Sequence, residues 1–478
     1  MATTNGNRPI LDLKKWEFCS PCITSTATAR FIISSRHYRQ QQLYVTSNTN
    51  AELYSPNEDA WTLMPSPALA GTFGAGACGT SGSFSIGTAT GASFLTATAG
   101  TTLSITTNQT LARDLRGYSI QFVGGTNAGV TKIIASNTIG ANSIITFTVA
   151  EGVAFDNTSQ YRIIAPVFYV LGAGTLAAGS FRKYNFGTNT WTSLAITGLP
   201  ASIGTDGRLI ATPSWLDQEY KSFAIGTATA GGANTISNSG KNWTVNQWTN
   251  SQIRITAGTG RGQIRTIASN TATQITVSAN WTTNPDTTSQ YSIEGNDDFL
   301  YFMGNNAVTL YRYSVSANTW STLSPIAARA AAPGAGMGGT WVHSVSSSDW
   351  TNENVIQNGR YIYSFQGNAT AALHRYDIAG NTWATITYAP AVETFGTGTK
   401  YVYINDRLYI QKDATGRWYA FDFIENAMQP FSQMLYPNGA AVLGDTAFDV
   451  QYKDGATTIN YVYMVLNTSN ILLRTMII

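Results

Sequence analysis

Four times this chain places a tyrosine seven residues ahead of a tryptophan: Tyr54 and Trp61, Tyr184 and Trp191, Tyr313 and Trp320, Tyr376 and Trp383. The residues between each pair are rich in Asn, Gly, Asp and Pro, the types that accept hairpin geometry. Asn-Thr-Trp closes three of the copies, and a fifth, worn copy runs from Phe421 to Met428. Each copy follows a short aromatic and β-branched run: Gln42–Val45, Val167–Val170, Phe299–Phe302, Arg360–Tyr363 and Arg407–Ile410. Alternation of this kind, bounded by Gly and Asn, predicts strands, and no stretch shows a helical period. A strand–turn–strand unit repeated with fixed aromatic positions restricts the chain to an all-β repeat architecture.

The aromatic strand, the Tyr, the short turn and the Trp resemble the kelch family, which implies a β-propeller of four-stranded blades with about 50 residues each. The resemblance has two departures. The Trp-to-Trp steps are 130, 129 and 63 (61 to 191, 191 to 320, 320 to 383), so the first two carry extra chain. The family's paired glycines shrink to single residues such as Gly172, Gly304 and Gly367. A sixth set of strands, at 448–452, 460–465 and 471–476, lacks its Trp strand, whereas Leu11–Pro21, with Trp16, reads as such a strand without a blade. An unpaired edge strand invites aggregation. Pairing the two ends predicts six blades closed by both termini, with Tyr54, Trp61, Tyr184, Trp191, Tyr313, Trp320, Tyr376, Trp383 and Trp16 as the structural repeat residues.

The extra chain is itself duplicated. Ser83–Thr90 reads Ser-Phe-Ser-Ile-Gly-Thr-Ala-Thr and Ser222–Thr229 reads Ser-Phe-Ala-Ile-Gly-Thr-Ala-Thr. Ile134–Thr138 and Ile267–Thr271 both spell Ile-Ala-Ser-Asn-Thr, and the segments end on Asp156–Tyr161 and Asp286–Tyr291. Short Thr/Ile/Val runs broken by Gly and Asn predict two small β-modules, entering between the first and second strands of blades two and three. The expected organisation is a discontinuous propeller over 1–83, 166–221 and 295–478, module 1 over 84–165 and module 2 over 222–294. The stretch Ala257–Asn270 resembles a small β-module that recurs in bacteriophage virion proteins.

Composition narrows the function classes. Charged residues make up 11% of 478, against roughly 25% in ordinary soluble domains, and Lys+Arg 28 against Asp+Glu 26 leaves a net charge of +2. Such a balance offers no electrostatic case for nucleic acid or an anionic membrane. Hydrophobic residues at 43% and aromatics at 12% supply a core and argue against disorder. No run of 18 apolar residues predicts a membrane-spanning helix. The polar Met1–Ile10 lacks the basic and apolar segments of a signal peptide, so synthesis in a cytoplasm is expected, and the module resemblance implies that this is a host's and that the chain resides in the virion. Cys19-Ser-Pro-Cys22 precedes strand or loop rather than a helix and has no second ligand pair nearby, so reduced thiols are expected, with pairing of Cys19 and Cys22 left open.

Chemistry-bearing patterns are few. His37, His343 and His374 show no metal-binding spacing. A kelch-type copper oxidase resembling galactose oxidase would need two His, two Tyr and a Cys. His374 instead sits just before a repeat Tyr, where blades two and three carry Arg182 and Arg312 nearby. Asp297–Asp298 and Glu58–Asp59 read as solvated loops, not as a carboxylate pair for glycoside hydrolysis. Neither Gly124-Gly125 nor Gly338-Gly339 leads into a phosphate-binding loop. Trp215, Trp243, Trp248, Trp281, Trp341 and Trp350 lie outside the repeat and could be module core or a glycan-stacking platform. The sequence therefore predicts a non-enzyme with no catalytic residue, metal or cofactor. The expected role is a structural subunit of a tailed bacteriophage virion, in the head, neck or tail, present in multiple copies and bound to other virion proteins. The alternative is a receptor- or glycan-binding virion protein that engages host surface glycans. The third reading is the copper oxidase.

Overall fold

In a computed structural model the described residues are 17–19, 31–34, 42–45, 49–55, 59–70, 77–82, 95–164, 167–204, 207–212, 223–296, 298–304, 306–342, 360–389, 393–404, 407–412, 417–423, 425–430, 443–454, 457–466 and 472–477. Among them every regular element is a β-strand.

Six four-stranded antiparallel sheets form the blades. Blade 1 is Phe31–Ser34, Gln42–Val45, Ala51–Ser55 and Ala60–Leu63. Blade 2 is Cys78–Gly82, Val167–Leu171, Phe181–Asn185 and Thr190–Ser193. Blade 3 is Gly207–Ala211, Phe299–Gly304, Ala307–Ser314 and Thr319–Leu323. Blade 4 is Thr340–Val342, Tyr361–Phe365, Leu373–Asp377 and Thr382–Ile386. Blade 5 is Lys400–Ile404, Arg407–Lys412, Arg417–Asp422 and Ala427–Pro430. Blade 6 takes Leu443–Asp454, Thr457–Leu466 and Leu472–Ile477 from one end of the chain and Glu17–Cys19 from the other.

First strands of the blades neighbour one another: blade 1 beside blades 2 and 6, blade 2 beside 3, blade 3 beside 4, and blade 5 beside 6. The fold is thus an all-β, six-bladed propeller closed by both termini. Its last blade is completed by the register Glu17↔Arg474, Phe18↔Leu473 and Cys19↔Leu472. Closure removes the exposed edge that an open three-stranded blade would present. Trp16 lies outside the described residues.

Second strands are the most deeply packed. Val167–Leu171 and Tyr361–Phe365 are buried along their whole length. They are almost wholly apolar or aromatic, Ser364 excepted, because both faces of a blade are covered by its neighbours. Fourth strands alternate more openly, as the outer edge of a blade should.

Between the first and second strands of blades 2 and 3 stand the two inserted β-modules. Module 1 is a seven-stranded sheet in the order Leu95–Thr96, Gln160–Ile164, Ser119–Gly124, Thr131–Asn137, Ile144–Phe147, Ser104–Thr106, Ala99–Gly100. Module 2 repeats that order with Ala224–Thr227, Gln290–Glu294, Gln252–Ala257, Ile264–Asn270, Gln274–Val277, Thr235–Ser237 and Ala230–Gly231. Even the bulges match: Phe122/Gly124 with Ile255/Ala257, and Ile134/Ser136 with Ile267/Ser269. A bulge kinks a strand and raises its twist, so equivalent bulges give both sheets the same curvature.

Candidate functional site

The repeat residues build the joints between blades. Tyr54 and Trp61, Tyr184 and Trp191, Tyr313 and Trp320, and Tyr376 and Trp383 are cross-strand partners on the third and fourth strands. Their ring centroids lie 5.0, 5.3, 5.1 and 5.2 Å apart. Five residues after each Tyr stands Asp59, Asn189, Asn318 or Asn381, with φ of 46°, 55°, 51° and 46°. The Tyr hydroxyl donates to that side chain's Oδ1 at 2.7, 2.8, 2.6 and 2.7 Å. Asn and Asp are the non-glycine residues that best tolerate the left-handed region, so this bond fixes the turn. The worn copy keeps Asn426 at φ 52° but has Phe421 in place of the Tyr, and so no hydroxyl.

Each described joint converges on the carbonyl four residues past the preceding Trp-strand position. Trp191 Nε1 donates to Pro65 O at 2.8 Å and Trp320 Nε1 to Ala195 O at 3.0 Å. In blades 4 and 5 the turn Asn takes over: Asn381 Nδ2 donates to Ser324 O at 2.9 Å, and Asn426 Nδ2 to Thr387 O. Trp320 and Trp383 are buried, whereas Trp61 and Trp191 are half-buried.

Among the described residues no group of three or more His, Cys, Asp or Glu could hold a metal ion. His374 is buried in the third strand of blade 4, its ring between Gln366 and Thr385. Burial, helped by the charge of Arg329, pushes its pKa down to about 4. Cys78 is a buried free thiol whose pKa burial pushes up to about 12. Asp298 is not a solvated loop residue. It is half-buried and accepts from Ser316 N at 2.6 Å and Ser314 Oγ at 2.7 Å, holding the third strand's turn. Asp59 is exposed, as a solvated turn residue should be, while its carboxylate accepts from the Tyr54 hydroxyl. Trp243, Trp248, Trp281 and Trp341 are buried at 4, 2, 5 and 4% exposure, so they serve as core rather than as a stacking platform.

The modules offer the most distinctive surface. In an antiparallel meander the first-to-second and third-to-fourth connections emerge on the same side. Accordingly, module 1 rests on the third-to-fourth turn of its own blade. Ala112 N donates to Gly187 O at 2.8 Å, Arg113 Nε and Nη2 reach Asn189 Oδ1 at 3.2 and 3.1 Å, and the Tyr118 ring packs 5.4 Å from Phe186. Module 2 touches the corresponding turn of blade 4 through Asn250 Nδ2 and Ile378 O at 3.4 Å, while Arg312 of blade 3 donates to Asn250 Oδ1 at 3.1 Å.

Both modules pin a long hairpin in the same way. Thr158 and Thr126 hydroxyls donate to Asp156 at 2.6 and 2.7 Å, and Thr288 and Thr259 hydroxyls to Asp286 at 2.6 and 2.7 Å. Those bonds hold both carboxyls below the usual carboxylate range. The pinned tips meet each other. A Cβ on Gly129 would stand 2.4 Å from Arg261 Cγ, and one on Gly262 would stand 2.9 Å from Ala128 Cβ. Ala128 and Gly129 occupy the positions of Arg261 and Gly262 in the duplicate. The contact is therefore isologous, each tip presenting the same patch to the other.

Outward surfaces of the two modules differ. Leu103, Ile133, Ile144, Val149 and Val153 of module 1 are 41, 39, 43, 64 and 60% exposed. Their module 2 counterparts are Asn234, Thr266, Gln274, Ala279 and Thr283. The backbone sets this equivalence: Leu103 O and Asn234 O each accept from the last residue of the adjoining strand at 2.8 Å, and Ile133 O and Thr266 O accept from Thr148 N and Ser278 N. At these five positions the scaffold carries large apolar residues in one copy and polar residues or alanine in the other, although module 2 exposes Ile225 and Val245 elsewhere, at 65 and 64%.

Fold and site define a six-bladed β-propeller with a paired-module platform on one side. No family model matches the chain, and no curated protein matches it. Among solved structures it is similar to the six-bladed β-propeller fucose-specific lectin of Aleuria aurantia, at 9% identity and TM-scores of 0.36 and 0.35 for two structures, covering 94% of this chain and 90% of that one. It is also similar to AofleA of Arthrobotrys oligospora, at 9% identity and a TM-score of 0.39, covering 97% and 86%. The propeller assignment rests on the chain's own six closed sheets.

Proposed function

We propose that this chain is a structural subunit of a tailed-bacteriophage virion, acting through protein–protein contacts in many copies, and that its blades are kelch-like. The observation that carries the reading is the set of exposed apolar residues on module 1, Leu103, Ile133, Ile144, Val149 and Val153, at positions that are polar or alanine in its duplicate. Isolated exposed apolar residues are ordinary, but a group of them on one small module marks an interaction surface. The low charge of the whole chain supports this, since charge depletion accompanies interface cores. The ground for the virion setting, and with it for synthesis in a host cytoplasm, is our reading of the Ala257–Asn270 stretch of the duplicated module as resembling one that recurs in virion proteins.

The test is a triple variant, Leu103→Ser, Ile133→Ser and Val149→Ser, supplied during infection. The expected result is a folded protein that no longer enters particles. If the variant assembles normally but the particles lose attachment to host cells, the glycan- or receptor-binding reading replaces the structural one. Normal assembly with normal attachment removes this surface from both.

A further inference from the structure

One buried cation in the joint between blades 3 and 4 faces no carboxylate among the described residues. Arg329 lies in the connection between the last strand of blade 3 and the first of blade 4, and it is 4% exposed. Its Nη1 points at the Met303 sulfur, 3.8 Å away, and its Cζ lies 5.3 Å from the Trp383 ring centroid. Neither Nε nor Nη2 meets an acceptor of the protein. Those two nitrogens form one edge of the guanidinium, where two parallel N–H groups match the two oxygens of a carboxylate or phosphate.

The neighbouring donor is in the same situation. Trp383 Nε1 is buried and meets no acceptor. In blades 2 and 3 the equivalent indole is satisfied by the carbonyl of the preceding joint. At blade 4 that carbonyl, Ser324 O, receives Asn381 Nδ2 instead. The exchange leaves the Trp383 indole N–H unpaired in the ring over which the buried Arg329 guanidinium lies, 5.3 Å from its centroid, and the described residues supply Arg329 with no carboxylate. A buried guanidinium stays charged at neutral pH, and burying a charge without a counter-charge is costly. The neighbouring His374 cannot compensate, because a neutral imidazole brings no negative charge.

We propose that Arg329 and Trp383 form an oxyanion site in the joint between blades 3 and 4, which takes a small carboxylate or tetrahedral oxyanion on the Nε/Nη2 edge with the indole N–H beside it. The bound anion would complete a joint in which, unlike those of Trp191 and Trp320, the indole has given up its carbonyl. This inference concerns the propeller and stands apart from the role proposed for module 1.

The experiment uses the full chain, exhaustively dialysed into chloride buffer, with inorganic phosphate or acetate added at constant ionic strength. The wild-type Tm should rise with the logarithm of the binding anion's concentration. Arg329→Met, which keeps the length and loses the charge, should lose that shift, and Arg329→Lys, which keeps the charge and loses the fork, should retain only part of it. Trp383→Phe should weaken it. A response to acetate alone identifies a carboxylate site, and a response to phosphate alone a tetrahedral one. Should an anion co-purify, ion chromatography of the denatured protein will find about one per wild-type chain and none in Arg329→Met. Equal responses in wild type and Arg329→Met, or neither a response nor a co-purified anion in wild type, overturn the proposal.

Discussion

Trp320 donates its indole N–H to the carbonyl oxygen of Ala195 at 3.0 Å, while Asn318, two residues earlier, accepts from Ala195 N at 3.0 Å. One residue of blade 2 is thus held by both of its backbone polar groups from blade 3. The Trp320 ring is also packed against Tyr313 and Phe181 at 5.1 and 5.2 Å. Trp320→Ala should destabilise the protein by about 3–5 kcal/mol through lost packing. Trp320→Phe retains most of that packing and gives up one hydrogen bond, so its cost should be about 1–2 kcal/mol. Denaturant unfolding of the two variants measures the difference.

Asn318 separates backbone strain from side-chain bonding. Its φ is 51°, and its Oδ1 accepts from both the Tyr313 hydroxyl and Ala195 N. Asn318→Gly keeps the left-handed turn and loses the bonds, whereas Asn318→Ala loses both. The alanine variant should be the less stable of the two by about 1 kcal/mol, and the comparison is again an unfolding measurement.

Acid should loosen blade 4. His374 has its folded pKa pushed to about 4 by burial, below the ordinary 6.5 of the unfolded chain. Between those values the unfolded state binds more protons, so stability rises with pH across the window. The His374 contribution is therefore fully present above about 6.5 and is lost as pH falls towards 4. In His374→Gln that part of the pH dependence should vanish, which a series of melting curves from pH 7 to pH 4 would show.

The two module tips should come apart when one glycine is filled. At φ 84° and with Arg261 Cγ 2.4 Å from its notional Cβ, Gly129 admits no side chain in place. Gly129→Val should raise hydrogen exchange at 124–130 and also at 257–263 in the other module, while leaving blades 4 and 5 unchanged. Faster exchange in the first hairpin alone would mean that the tips do not support each other.

Much of this architecture was legible in the sequence because it depends on fixed spacing. A two-strand hairpin with one left-handed residue forces Tyr and Trp into register, so four equal spacings betray four blades even where long insertions separate them. The pairing of the two ends followed from the same logic, since a Trp strand at one end matched a missing one at the other. The bonds within the repeat were not read, although the Asn or Asp five residues after each Tyr was visible as Asp59, Asn189, Asn318 and Asn381. Its role needed the knowledge that its φ is positive. Asp298 was misread because an acidic pair beside an insertion looks like a solvated turn, and only the fold shows which serine hydroxyl and amide its carboxylate receives. Arg329 gave no signal at all: in an alanine-rich connection an arginine reads as surface, and its burial comes from two blades that meet far apart in sequence.

Closure by the two ends is open to a direct test. Glu17–Cys19 completes blade 6 by pairing with Leu472–Arg474. Removing residues 1–20 should lower the Tm sharply and promote association through the exposed strand edge.

The role proposed for the chain is tested most directly by a particle reconstruction combined with copy counting of purified virions. A structural subunit predicts symmetric, repeated density for a six-bladed propeller, in dozens of copies or more, with the Leu103, Ile133 and Val149 side of module 1 against a neighbouring protein. Particles that lack the chain, or that carry it in a few copies with module 1 facing solvent, would contradict it.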